Sequence, residues 1–439
     1  MALSPLAAEL NATLAREAPD VLAMLSARGR AAYFPTKGIL GQSAEAKGKR
    51  INATIGVALE EDGSPLCLDC VTDQVALPKG EQVLYAPSYG KPALRTRWGA
   101  MMRQKNPGLE ASQHSLPVVT CALTHGLSIA GELFLDPGDR LIMPDLYWGN
   151  YRLIFEAAFG ARIDPFPTFN RGDFNVAGLA GRLKEGPPGK RVVLLNFPNN
   201  PTGYTPTHAE AAAIVAAIQE AADAGNEVVV IVDDAYFGLV FEPGILETSI
   251  FQPLAMLSPR VLAVKIDGPT KEDYVWGLRV GFVTYGVAGA RPEVFAALEH
   301  KTAGAIRGSI SNAANLSQAL LLAAWDHPDY ATQKANKHAT LRRRYDKVRT
   351  ILNAHPEYSE AFVALPFNSG YFMCVRPVEA AAEAVRTLLL AEYDTGVIAT
   401  DGLIRLAFSS TPLADLDDLF AHLDAACRRL AHGQPAARH

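Results

Sequence analysis

Asp267-Gly268-Pro269-Thr270-Lys271-Glu272-Asp273-Tyr274-Val275-Trp276-Gly277-Leu278-Arg279-Val280-Gly281 is the stretch on which the reading of this chain turns. It follows the apolar run Val261-Leu262-Ala263-Val264, which predicts a buried strand. Gly268-Pro269 ends that strand and presents Lys271 on a turn. Arg279 then opens a second apolar run, Val280-Gly281-Phe282-Val283. A primary amine on a rigid turn forms a Schiff base with an aldehyde once it is partly desolvated and deprotonated. A fixed guanidinium gives a phosphate a planar, bidentate partner. The pair suits an aldehyde cofactor that carries a phosphate, and pyridoxal 5'-phosphate is that kind of molecule. Most lysines after a strand are solvated surface charges, so the rest of the chain has to decide.

Working outward, the pattern from about residue 115 is strand–helix alternation. Apolar runs fall at 117–122, 140–143, 192–195, 228–232, 261–264 and 280–284, with helical segments between several of them. Thr207-His208-Ala209-Glu210 is a capping box. Ile214, Val215 and Ile218 then recur at helical spacing, and Gly225 stands where a C-terminal cap belongs. Short β-branched strands between helices imply an α/β fold, with a mostly parallel mixed sheet covered by helices on both faces. Sites in such sheets form at the carboxyl ends of the strands. Residues 311–350 are strongly helical, and the basic run 334–349 reads as a long solvated helix. From about 360 the pattern turns α+β, with strands at 371–375 and 403–408 and a closing helix at 414–430.

The expected division is a segment 1–65 that contributes to a smaller α+β domain, a large cofactor-binding domain 66–330, and the small domain 331–439. Residues 1–50 look helical, then irregular; 33–39 resemble an exposed loop, a lid or an interface; 51–59 look strand-like. The tail after His432 looks disordered.

The 439 residues are 49% hydrophobic and 20% charged, enough for two domains with sizeable cores. The net charge of −5 favours neither nucleic acid nor an anionic membrane as a partner. Residues 1–17 lack the basic start and apolar run of a signal peptide, and no run reaches transmembrane length. The expectation is a cytoplasmic protein. Of five cysteines, Cys67-Leu68-Asp69-Cys70 matches C-x-x-C, on or near a strand. No second pair or histidine cluster stands at zinc spacing, so no metal is expected. The odd count argues against a disulfide framework.

Four further stretches carry polar groups at strand ends. Asn196-Phe197-Pro198-Asn199-Asn200-Pro201-Thr202-Gly203 builds a turn, or donates an asparagine amide to a phenolate oxygen above it. Val230-Ile231-Val232-Asp233-Asp234-Ala235-Tyr236 ends a strand with a carboxylate and a phenol. A buried carboxylate facing a pyridine nitrogen keeps it protonated and makes the ring an electron sink. Asp233 comes first after the apolar run and is the buried partner; Asp234 points elsewhere. Thr124-His125-Gly126-Leu127-Ser128 leads into a helix, whose N–H groups with a serine hydroxyl seat a phosphate. Tyr147-Trp148-Gly149-Asn150-Tyr151 offers an aromatic face for stacking, or core.

In motif order and spacing the chain, over roughly residues 50–410, resembles the fold-type-I, class I/II aminotransferases, the family of aspartate aminotransferase. The resemblance implies pyridoxal 5'-phosphate as cofactor. Lys271 would bond it covalently and carry the proton. Arg279 would bind its phosphate, with Leu127 (through its backbone), Ser128 and Thr270. Asp233 would face the ring nitrogen, and Tyr236 and Asn200 the ring oxygen. Trp148 would stack on the ring, with Tyr147 as the alternative. Arg405 would grip the substrate α-carboxylate, beside Gly56 on an early strand. The resemblance also implies a homodimer with sites at the subunit interface. Tyr85 and Ser311 would reach the partner's phosphate, and Arg307 a substrate's distal carboxylate. Two positions depart from the pattern: Gly268 stands where many relatives carry serine, and Tyr151 where aspartate enzymes carry histidine.

The expected function is a ping-pong aminotransferase acting on an L-amino acid and a 2-oxo acid, with aspartate, glutamate or 2-oxoglutarate implied by Arg307. The alternative is a pyridoxal-phosphate-dependent lyase or decarboxylase. A non-catalytic DNA-binding sensor would need a basic recognition helix, which the first 50 residues lack.

Overall fold

The computed structural model describes residues 3–32, 38–73 and 77–432. Residues 33–37 and 433–439, where a loop and a disordered tail are expected, lie outside the described residues.

Seven strands make the main sheet: β1 (Val118–Cys121), β2 (Arg140–Pro144), β3 (Arg162–Phe166), β4 (Lys190–Asn196), β5 (Glu227–Asp233), β6 (Val261–Asp267) and β7 (Val280–Gly286). Their spatial order is β1-β7-β6-β5-β4-β2-β3. All pairs are parallel except those of β7, which runs antiparallel to β1 and β6. The six helices that matter below are α1 (Pro92–Lys105), α2 (Ala122–Phe134), α3 (His208–Asp223), α4 (Pro292–Ser309), α5 (Tyr330–Ala354) and α6 (Leu416–Ala431).

Both faces of the sheet are covered, which is why β5 is apolar along its length instead of alternating. Val230 and Val232 pack with Ile214 and Ile218 of α3 on one face. Ile231 packs on the other with Val264, Ile266 and Leu127 of α2. The two-residue period of a strand sorts these neighbours to opposite sides. In α3 the capping box forms in both directions between Thr207 and Glu210. Gly225, just past its end, takes the left-handed conformation with φ 93° that a side chain would resist.

The second sheet has β8 (Phe362–Ala364), β9 (Phe372–Pro377), β10 (Ile398–Thr400) and β11 (Leu403–Ala407), in the antiparallel order β8-β9-β11-β10. Ile51–Asn52 pairs in parallel with Thr395–Gly396, so the N-terminal segment docks against the C-terminal part of the chain. The fully buried Arg344 of α5 ties them further, with Glu61 at 2.8 Å and the Ser409 carbonyl at 2.6 Å.

Three expectations change. The strand over 51–59 shrinks to two residues, because its ladder partner Thr395–Gly396 is equally short. Cys70 lies on the short helix Asp69–Thr72 and Cys67 just before it, not on a strand; all five cysteines are free. The basic run of α5 is not solvated throughout: Lys334 and Arg344 turn inward onto carboxylates. Among the described residues, no helix is long and apolar enough to cross a membrane and no side-chain cluster is suited to a metal ion.

Candidate active site

The parallel register sets Asn196, Asp233 and Ile266 side by side at the carboxyl ends of β4, β5 and β6. Asp233 is buried; its Oδ2 accepts from the Tyr151 hydroxyl at 2.5 Å and its Oδ1 from the Ala235 N–H at 3.1 Å. Burial raises its carboxyl above the usual range, against the Tyr151 bond and the Lys271 charge, which pull it down. Asp234 does point away, onto Ser249 Oγ at 2.5 Å and the Lys265 ammonium. Asn196, not singled out from sequence, holds the next loop in place. Its Nδ2 donates to the Asp233 carbonyl and its Oδ1 accepts the Asn200 N–H, both at 2.8 Å.

Lys271 is half-buried, with Nζ 5.1 Å from the centre of the Tyr236 ring. Its carbonyl accepts from the Tyr371 hydroxyl at 2.9 Å, which fixes the turn from the β9 side. No hydrogen bond or ion pair reaches the amine among the described residues. Burial pushes that amine down to about 8; Asp233 opposes the shift and Arg279 adds to it. On the order of a tenth of the molecules then carry it neutral at pH 7.

Arg405 sits mid-strand in β11 and is only 3% exposed. One terminal nitrogen donates to Asn200 Oδ1 at 3.3 Å and the other to the Thr54 carbonyl at 3.1 Å. The guanidinium lies 4.3 Å from the Phe372 ring centre. Its Nε is buried without a partner, and no carboxylate among the described residues pairs with it. Burial lowers its affinity for the proton. Tyr236 packs edge-on between this group and the lysine, 5.3 Å from Tyr371 and 5.7 Å from Phe372. Two residues after Thr54, Gly56 has open space where a Cβ would stand.

The phosphate seat expected at Leu127 and Ser128 is corrected by where the helix begins. α2 starts at Ala122, in the left-handed conformation with φ 60°. Leu127 is fully buried in the second turn, so its N–H is spent inside the helix, and Ser128 follows it. The N–H groups without intrahelical partners belong to the first turn, Leu123 and Thr124. Gly126 is a packing glycine: a Cβ there would come within 2.9 Å of Ile266. Gly281 brings the lysine connection onto this helix start, since its Cβ would lie 2.9 Å from the Leu123 nitrogen. The departure at Gly268 has a similar cause, because a Cβ would stand 2.9 Å from the Val280 carbonyl. Thr270 is buried, with Oγ1 3.4 Å from that same carbonyl. Arg279 is exposed, with φ 53°, and donates to the Trp276 carbonyl at 3.2 Å.

Tyr147 and Trp148 both lean on Tyr151, the first nearly parallel at 6.4 Å and the second edge-on at 5.6 Å. Tyr85 is 91% exposed. Three residues on, Ser88 donates to the Ser311 carbonyl at 2.8 Å, and Arg307, on α4, donates to Ser311 Oγ at 2.7 Å. Arg307 has no ion-pair partner among the described residues. The structure thus gathers Arg307 and Ser311 beside the Tyr85 loop.

A family model described as aminotransferase class I and II matches residues 50–423. The chain belongs to this family. It is 25% identical over 343 residues to the aspartate aminotransferase of a Bacillus species, covering 74% of this chain and 80% of that protein. It is 30% identical over 184 residues to a probable N-succinyldiaminopimelate aminotransferase of Mycobacterium tuberculosis, covering 42% of this chain and 44% of that one. The match thus spans under half the length of that relative. Among solved structures, an aminotransferase from Anaerococcus prevotii superposes with a TM-score of 0.80 at 23% identity, covering 92% of this chain and 98% of that one. A Thermus thermophilus aspartate aminotransferase variant gives 0.72 at 20% identity, covering 92% and 99%. The seven-stranded mixed sheet with its small antiparallel sheet is that fold.

The family's cofactor is pyridoxal 5'-phosphate. The residues present in this family member fit it. A half-buried lysine whose amine has no hydrogen-bond or ion-pair partner among the described residues, a buried carboxylate at a strand end and the first turn of α2 stand around the lysine connection.

Proposed function

We propose that this class I/II family member is an aminotransferase that moves an amino group between an L-amino acid and a 2-oxo acid in two half-reactions of ping-pong order. One observation carries the reading: the half-buried Lys271 and the buried Arg405 pair with no carboxylate among the described residues, with Tyr236 against the lysine and Asn200 against the guanidinium. The bound cofactor would supply an electron sink for the pair released at the amino acid Cα. Lys271 would bond the cofactor covalently, and Asp233, held by Tyr151, would keep a proton on its ring nitrogen. Tyr236 and Asn200 would donate to its ring oxygen. Arg279, Thr270 and the first turn of α2 would hold its phosphate, and Trp148 or Tyr147 would pack on its ring. Arg405 would bind the substrate carboxylate and orient Cα. Lys271 Nζ, poised near neutral pH, would take the Cα proton and return it.

We also propose a homodimer in which Tyr85, Ser311 and Arg307 serve the partner's site, and a division into domains near residues 66 and 331. The exposure of Tyr85 and the lack of an ion pair on Arg307 support this. Arg307 would then favour a dicarboxylic partner: aspartate, glutamate or 2-oxoglutarate.

Incubation of the cofactor-loaded protein with amino acids is expected to yield pyridoxamine 5'-phosphate. Release of ammonia or carbon dioxide without it would instead mark a lyase or decarboxylase. Arg307→Ala is expected to lower kcat/KM for dicarboxylic donors roughly 10–100-fold, the worth of a hydrogen bond to a charged group. Aromatic and aliphatic donors should be unaffected, and an unchanged preference removes the dicarboxylate assignment.

A further inference from the structure

The lysine turn is gripped at both ends by buried carboxylates: Asp267 before it, and Glu272 and Asp273 after it, none more than 5% exposed. Their partners come from β6, α1, α5 and Trp325. Asp267 pairs with Lys265 of β6 at 3.1 Å and accepts from Trp98 Nε1 of α1 at 3.0 Å. Glu272 pairs with Lys105, the last residue of α1, at 2.7 Å and with Lys334 of α5 at 2.9 Å. Asp273 pairs with Lys334 at 2.7 Å and accepts from the Tyr330 hydroxyl and from Trp325 Nε1, each at 2.9 Å.

These contacts close on themselves. Trp98 is stacked against Trp325 at 5.4 Å, and Lys105 Nζ stands 4.6 Å from the Trp98 ring centre. Burial alone would push the Glu272 carboxyl up, but Lys105 and Lys334 hold it well below its usual range. A buried charge network with every member answered is rigid, and removing one member leaves an uncompensated ion. Among the described residues no carboxylate pairs with Lys271, which stands in the chain between the two gripped ends.

We infer that Lys334, with Tyr330, is a positioning residue for Lys271: by clamping Glu272 and Asp273, α5 holds the turn so that the amine keeps its half-buried place over the Tyr236 ring. The inference rests on Lys271 being the cofactor lysine. It makes the long helix that leads into the second sheet a determinant of where the reactive amine stands.

The test is acylation of the full chain, free of cofactor, with a water-soluble amine reagent across a pH series, followed by peptide mapping. Wild-type Lys271 should titrate near 8, as burial dictates. In Lys334→Met the turn loosens, water reaches the amine, and the midpoint should rise by about a unit or more towards an ordinary lysine. Lys334→Arg should restore it, and the exposed Lys184 should not move in any variant. A merely structural role would lower the melting temperature and shift no single lysine. Tyr330→Phe removes one bond to Asp273 and should shift the midpoint less, in the same direction; it decides the matter if Lys334→Met does not fold. Borohydride reduction of the cofactor-loaded proteins runs in parallel. A link at Lys271 with an unmoved midpoint overturns the positioning role and leaves the cofactor reading intact. No link at Lys271 in the wild type overturns the cofactor reading, and the inference with it.

Discussion

Two sets of cations flank the candidate site, and they differ in whether carboxylates answer them. Behind the lysine turn, Lys265 is fully buried and meets both Asp234 and Asp267. In front of it, Lys271 and Arg405 pair with no carboxylate among the described residues, and the Arg405 Nε is buried without a partner there. Burying a charge is expensive unless it is paired. On the proposed reading, the first set is scaffold and the second is reserved for ligand.

The comparison breaks most visibly at Lys265. Lys265→Met leaves Asp234 and Asp267 buried without their cation and should lower the unfolding free energy by about 3–5 kcal/mol, read by urea denaturation. A loss below about 1 kcal/mol would mean that the answered set is not scaffold. Arg405→Met should behave oppositely. Removing a buried guanidinium that lacks a carboxylate should leave stability unchanged or raised. The same change should lower kcat/KM for every amino donor by about 3 kcal/mol, roughly 100-fold, with the loss appearing in KM. The smallest effect sharpens the contrast inside the site. Tyr151→Phe takes one bond from Asp233 and should lower kcat by about 1.5 kcal/mol, roughly tenfold, with KM unchanged because Tyr151 would touch no substrate. Steady-state kinetics separates the two variants.

How far the sequence could be read follows the same divide. The central strands were legible because residues such as 228–232 and 261–264 are covered on both faces and so lack polar interruptions. Asp233 was legible as the first polar residue after such a run and Lys271 by the Gly268-Pro269 break, whereas Arg405, on the strand Leu403–Ala407, was reached only through the family resemblance. The start of α2 was not legible. Only the closeness of Ile266 reveals Gly126 as a glycine needed for helix–sheet packing. The cage was not legible either, since Trp98 comes to Asp267, and Lys105 and Lys334 to Glu272, from distant elements. A basic run such as that of α5 looks solvated until its inward carboxylates are placed.

The central claim is that the unanswered amine at position 271 is the one the cofactor takes. It is tested by loading the protein with pyridoxal 5'-phosphate, reducing with borohydride, digesting and mapping the labelled peptide. The account predicts a single label, on Lys271. A label on Lys265 or any other lysine, or no label at all, would contradict it.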